Sequence, residues 1–259
     1  MTRVASYRHR GDRRTGFGLV DGNGVIDCTS DEAPDVVAAM RRGDLSRLRP
    51  APNATRHDLA DIVFLPPVAA PEKIICVGVN YANRNEEYKD GAPAAEYPSL
   101  FVRFPGSFVG HDQVIERQKE SDQFDYEGEI VLVIGKVGRR ITRERALDHV
   151  AGLTLANDGT MRDWLRHSKF NATQGKNFDA SGSIGPWIVP ASDIDLSRPL
   201  RIATRVNGEK RQDDTTDSMM CGFARLGEDT SSFTTLKIGD LILTGTPTGA
   251  GARFDPPRW

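Results

Sequence analysis

A chain of 259 residues can bury a sizeable core, as one large domain or as a main domain with a smaller appendage. Its 34 Lys and Arg nearly balance 36 Asp and Glu, and the formal charge of −2 removes any electrostatic case for nucleic-acid or membrane binding. Three widely spaced cysteines (Cys28, Cys76, Cys221) suit reduced thiols better than a disulfide frame or a zinc site. With no apolar run of membrane-spanning length and no signal-peptide core in "MTRVASYRHRGDRR", the expectation is a soluble cytoplasmic protein.

In chain order, "GFGLVDGNGVIDCT" predicts a hairpin, with Asp-Gly-Asn-Gly supplying the positive φ angles of a tight turn. "APDVVAAMRRGD" predicts a short amphipathic helix stopped by Gly43. "FLPPVAAPEK" carries three prolines in ten residues and reads as a linker, dividing a small N-terminal α/β domain (1–70) from a β-rich domain (71–259). The strand "KIICVGV" follows, then a polar burst, "NYANRNEEYKDG", as loop or short helix. Further strands are predicted at "SLFVRF", "EIVLVIGK", "VAGLTLAN", "RIATRVNG" and "DLILTGTP", with "ITRERALDHV" as the one helix between them. Strands outnumber helices and turn signals are dense, so the fold class is α+β, β-rich, rather than a doubly wound sheet.

Chemistry gathers at "DYEGEIVLVIG". The run Ile130–Ile134 reads as a buried strand, yet Asp125, Glu127 and Glu129 stand at its entrance. Side chains two apart on a strand point the same way, about 7 Å apart, so Glu127 and Glu129 could lean onto one ion, joined by Asp158 at the end of "VAGLTLAND". Oxygen ligands without a Cys or His pattern favour Mg²⁺, Mn²⁺ or Ca²⁺ over zinc. On spacing alone, the wet face of an edge strand is the stronger reading.

Taken together, "DYEGEIVLVIGK", "AGLTLANDGTMRD", "QGKNFDASGSIGPWIV", "VNGEKRQ" and "TLKIGDLILTGTPTGAG" resemble the fumarylacetoacetate hydrolase superfamily, in its order, from about Glu72 to the end. The resemblance implies a mixed β-sandwich roll with a small N-terminal domain, a homodimer, and a divalent ion, Mg²⁺ or else Mn²⁺ or Ca²⁺, held by Glu127, Glu129 and Asp158. It also implies that Arg162 and Lys176 contact substrate and that Thr246, in the turn "TGTPTGAG", donates to a substrate carboxylate. The same turn lacks the Lys-Ser/Thr ending of a phosphate loop. From the residues alone, Arg162 could instead pair with Asp163 at the surface, Lys176 could be an exposed amine, and Tyr81 could line the pocket or pack in the core. His111 and His167 match no assignable position.

Such an ion binds a 2-oxo acid through its carboxylate and adjacent carbonyl and stabilises an enolate. The lead expectation is hydrolysis of a C–C bond in a 2,4-dioxo acid of the fumarylacetoacetate or fumarylpyruvate kind. The alternatives are isomerisation or decarboxylation of a 2-hydroxyhepta-2,4-diene-1,7-dioate-like substrate, and non-catalytic oxo-acid binding. Three departures matter. "RLGEDTSSFTTL" carries charged residues where the family commonly has an apolar helix stretch. Family members continue past "FDPPRW" with another strand pair, so the C-terminal end is expected to be incomplete. In "NYANRNEEY" the family pattern N-Y-x-x-H-x-x-E finds Arg84 where the histidine belongs. Arginine stays protonated and cannot be a general base. Arg84 is therefore read as closing over a distal substrate carboxylate, with Glu87 and Lys176 as the catalytic pair; an exposed Arg84–Glu87 ion pair is the other reading.

Overall fold

The computed structural model describes residues 1–83, 96–168 and 171–259; Arg84 and Glu87 lie outside them. The expected hairpin forms from strands Thr15–Asp21 and Gly24–Asp27, with Gly22 at φ +54° in the turn. The helix Val36–Arg42 starts where the Asp35 side chain accepts from the Ala38 N–H, and ends at Gly43.

A twelve-stranded mixed sheet organises the chain. Its order runs Arg56–Asp58, Gly24–Asp27, Thr15–Asp21, Val4–His9, Gly182–Pro190, Val150–Asn157, Gly128–Ile134, Leu241–Leu243, Ile74–Val77 and Leu100–Val102. Ile62–Phe64 and Phe108–Val109 pair at its side. Neighbours are antiparallel except Leu241–Leu243 with Ile74–Val77, and Phe108–Val109 with Gly182–Pro190. The N-terminal strands join the rest where Val4 faces Ile188.

Strand Gly128–Ile134 lies between two apolar layers, and the period-2 alternation sorts its residues. Val131 and Val133 pack with Val36, Ala39 and Met40 of the first helix. Ile130, Leu132 and Ile134 pack with Phe223 and Leu226 of the helix Phe223–Phe233. That parity sends Glu129 to the Val131 side. The result is the β-rich fold expected, with one sheet covered on both faces.

Three local readings change. "ITRERALDHV" forms a 3₁₀ helix, Arg143–His149, because it is pinned at both ends. Ile141 N–H donates to Ser231 Oγ before it, and Val150 joins the sheet opposite Ile134 directly after it. An α-helix forms at Phe223–Phe233, despite the charges of "RLGEDTSSF", since Phe223, Leu226 and Thr230 recur on one buried stripe. The strand Gly182–Pro190, absent from the sequence reading, is central even though it contains Pro186. The proline falls where the ladder shifts register between Leu153–Val189 and Leu155–Gly185, so its missing N–H breaks no regular bond. Among the described residues, no helix is long and apolar enough to cross a membrane.

Candidate metal centre and active site

Glu127 and Glu129 reach the centre from the entrance of strand Gly128–Ile134, and Asp158 from the turn after Val150–Asn157. The two strands are locked at this end, since Asp158 N–H donates to Glu127 O at 2.8 Å and Glu127 N–H to Asn157 Oδ1 at 2.9 Å. One carboxylate oxygen from each of the three acids lies within 4.8 Å of the others, and all three residues are buried.

Cations interleave with them. Lys176 Nζ donates to Glu127 Oε2 and Asp158 Oδ2, each at 2.6 Å, and lies over the Phe101 ring. Arg162 donates from Nη2 to Glu127 Oε1 and from Nε to Asp125 Oδ2 at 2.7 Å. Arg103 donates to Asp158 Oδ1 at 2.6 Å. Both Arg162 and Lys176 are buried, so neither the surface pair with Asp163 nor the exposed amine occurs. Burial would lower the Lys176 pKa, but Asp158 and then Glu127 outweigh it and the net shift is upward.

Asp125, the first acid of the series, has a different task. Its carboxylate accepts from the Gly251 and Ala252 N–H groups at 2.7 and 3.0 Å, fastening the C-terminal turn, as well as from Arg162. Glu129 is the least compensated acid: among the described residues its hydrogen bond comes from Gly245 N–H, at 2.8 Å. Burial, then Asp158 and Glu127, push its pKa well above the usual carboxylate range. Among the described residues, four buried carboxylates thus face three buried cations. A divalent ion among Glu127, Glu129 and Asp158 meets both needs, since the donors are all oxygen and positive charge is what Glu129 lacks.

The turn behind Glu129 is braced. Gly245 holds φ +91°, with a Cβ there only 2.8 Å from Asn80 Cβ. Asn80 ties the segments together, donating to Thr244 O and Cys221 O and accepting from Cys221 N–H. Thr246 Oγ1 donates to Gly128 O at 2.9 Å and accepts from Gln212 Nε2 at 2.7 Å. Its one hydroxyl proton is committed there, so contact with a substrate carboxylate requires that bond to switch. Tyr81 is fully buried and its hydroxyl has no hydrogen-bond partner among the described residues; burial, then Glu129, raise its pKa.

Residues 73–259 match the fumarylacetoacetate (FAA) hydrolase C-terminal family model. The chain belongs to the fumarylacetoacetate hydrolase family. It is 40% identical to the oxaloacetate tautomerase YisK of Bacillus subtilis over 242 residues, covering 91% of this chain and 79% of that one. It is 37% identical to the mitochondrial oxaloacetate tautomerase fahd2 of Xenopus laevis, with 94% and 78% covered. Among solved structures, fumarylacetoacetate hydrolase from Exiguobacterium antarcticum superposes with TM-score 0.85 at 32% identity, over 100% of this chain and 91% of that one. The 2-hydroxyhepta-2,4-diene-1,7-dioate isomerase of Mycobacterium marinum gives TM-score 0.77 at 28% identity, over 97% and 89%. The chain is therefore an enzyme-family member with a buried acidic triad fit for a divalent ion.

The family motifs led to Glu127, Glu129, Asp158, Arg162 and Lys176, which the fold brings together, and to Thr246 and Tyr81 near them. Arg103, Asp125 and Gln212 were not assigned roles from sequence. Gln212 stands in the quoted motif "VNGEKRQ", where it could have been found. Arg103 sits near the end of the predicted strand "SLFVRF", where nothing marked it for a role. His111 packs edge-on against Phe64 and His167 against Trp164, away from hydrogen-bonding contact with the triad.

Proposed function

We propose that the chain catalyses proton transfer in a small 2-oxo dicarboxylic acid, interconverting its keto and enol forms, with oxaloacetate as the first candidate. The supporting observation is the composition of the centre: oxygen donors and cations, and, among the described residues, no imidazole hydrogen-bonded to the acidic triad. Hydrolysis needs a group that activates water for attack on a second carbonyl, whereas tautomerisation needs only a proton carrier and a stabilised enolate. The oxaloacetate tautomerase relatives support the same choice.

A divalent ion at Glu127, Glu129 and Asp158 would polarise the 2-oxo group and acidify the adjacent carbon. Lys176, whose ammonium donates to Glu127 Oε2, Asp158 Oδ2 and Asp158 O, would turn one of these hydrogens to the oxygen on which negative charge develops. Glu87, carried over from the sequence motif, would take the proton from C3 and return it to the enolate oxygen. Arg162 and Arg84 would hold the carboxylates, and Tyr81 brings a buried donor that is unmet among the described residues.

C–C hydrolysis is the second reading, favoured by the Exiguobacterium structure. Incubation of the Mg²⁺- or Mn²⁺-loaded protein with enol-oxaloacetate, with an acylpyruvate and with a heptadienedioate separates the readings. Accelerated ketonisation of enol-oxaloacetate without cleavage of the acylpyruvate is expected. Cleavage without tautomerisation would reverse the assignment. Oxalate, a mimic of the enolate head, should inhibit competitively, and Lys176→Met should weaken that inhibition. Inhibition unchanged in Lys176→Met removes this lysine from the site.

A further inference from the structure

Asp158 offers two carboxylate oxygens, and the fold gives each a different partner. Oδ2 accepts from Lys176 Nζ, which also donates to Glu127 Oε2, each at 2.6 Å; Oδ1 accepts from Arg103 Nη1 at 2.6 Å. Arg103 is 2% exposed, and its five N–H groups all have acceptors. Nε donates to Ser107 Oγ at 3.0 Å, and Nη1 also to Gly159 O at 3.2 Å. Nη2 donates to Ser107 O at 3.2 Å and to Ser181 Oγ at 2.8 Å. Its guanidinium carbon lies 4.0 Å from the centroid of the Phe108 ring.

Every donor being taken, Arg103 has none to offer a substrate and must act through what it holds. Its rigid planar fork grips the Asp158 carboxylate and the Gly159 carbonyl together, and so restrains both the side chain and the backbone of that turn. The fork is held in turn by Ser107, in the turn Pro105–Ser107 just after it, and by Ser181 from a segment 78 residues away. The cradle is close: a Cβ on Gly182 would come within 2.9 Å of Arg103 Nη1, and one on Gly159 within 1.9 Å of Ser181 O. A lysine would supply the charge without the fork.

We propose that Arg103 is the positioning residue of the metal centre. It occupies Asp158 Oδ1 and thereby presents Oδ2 as the single oxygen this aspartate gives to a divalent ion. The proposal rests on the metal-site reading but not on the choice of substrate.

Mn²⁺ binding to the purified full chain tests it, read by electron paramagnetic resonance or calorimetry for the wild type, Arg103→Met, Arg103→Lys and Ser181→Ala. Partners of metal ligands typically contribute about 10–100-fold to affinity, so Arg103→Met should raise the Mn²⁺ Kd by about that factor. Arg103→Lys should recover only part of the loss, and Ser181→Ala should weaken binding less than Arg103→Lys. At saturating Mn²⁺ the KM for substrate should stay near wild type. A purely structural role would lower the melting temperature of the metal-free protein and leave Kd alone. If Arg103→Met does not fold, the other two variants decide, and wild-type Kd in both overturns the proposal. A wild type that binds no Mn²⁺ overturns it together with the metal centre.

Discussion

Two ion clusters in this molecule share bond lengths and little else. On the hairpin of strands Arg201–Val206 and Glu209–Thr215, Asp213 accepts from Arg201 Nε and Nη2 at 2.7 Å each and from Lys210 Nζ at 2.6 Å. At the metal centre, Asp158 accepts from Arg103 and Lys176 at 2.6 Å each. Arg201 and Lys210 keep 66% and 48% of their side chains in water, whereas Arg103 and Lys176 keep 0% and 6%. Water and salt screen the first cluster, so its close contacts contribute little to stability. Desolvation opposes the second, and removing one member would strand a charge in the interior. Distance therefore says little here; burial separates a solvated surface from a site held charged for a purpose.

The contrast breaks most sharply if the buried acids lose their ion. Glu127→Gln, Asp158→Asn or treatment with EDTA should abolish turnover. Because the ion binds the folded state alone, free metal at 100-fold its Kd should add about 2.7 kcal/mol of stability, visible as a melting temperature that falls on chelation and returns on readdition. Full turnover in metal-free protein would end the metal reading.

Next in size is Asp125→Ala, which takes from Arg162 one of its two buried carboxylate contacts and leaves the Gly251 and Ala252 N–H groups without their acceptor. Breaking a buried ion pair is destabilising by about 3–5 kcal/mol, to be read from urea unfolding. A change below 1 kcal/mol would mean that this end of the cluster is wetter than its burial implies. Gly245→Ala should be milder, about 1–3 kcal/mol, from forcing a side chain onto a backbone at φ +91° and against Asn80. It should also weaken Mn²⁺ binding, since Gly245 N–H supports Glu129; unchanged binding would show that this bond does not orient the ligand. The smallest effect belongs to the surface: Asp213→Asn should leave both melting temperature and turnover at wild-type values. A clear loss in either would erase the distinction between the clusters.

Much of the local structure was legible because its causes are local. Asp-Gly-Asn-Gly makes its turn, Asp35 and Gly43 bracket their helix, and the apolar run from Ile130 declares a buried strand. Gly182–Pro190 was missed because a proline normally argues against a central strand, and only pairing with Val150–Asn157 creates the register shift that accommodates it. "ITRERALDHV" shows the converse: a helical pattern tightened to 3₁₀ by contacts at both ends. Of the site, the Glu127–Glu129 spacing was readable in itself, while Asp158, Arg162 and Lys176 needed the family motifs to stand out from ordinary surface charges.

The sequence by itself determined that Glu127 and Glu129 share a face, because strand side chains alternate with a period of two wherever the strand lies. It also determined the oxygen-only character of the donor set and, through its motifs, the family. Only the tertiary structure decided which charges meet. Arg103 lies 55 residues from Asp158, Asp125 lies 126 from Gly251, and Glu129 lies 116 from Gly245. No periodicity spans such separations; those partners are selected when the sheet closes and each buried carboxylate must be met by a donor from whichever strand arrives beside it.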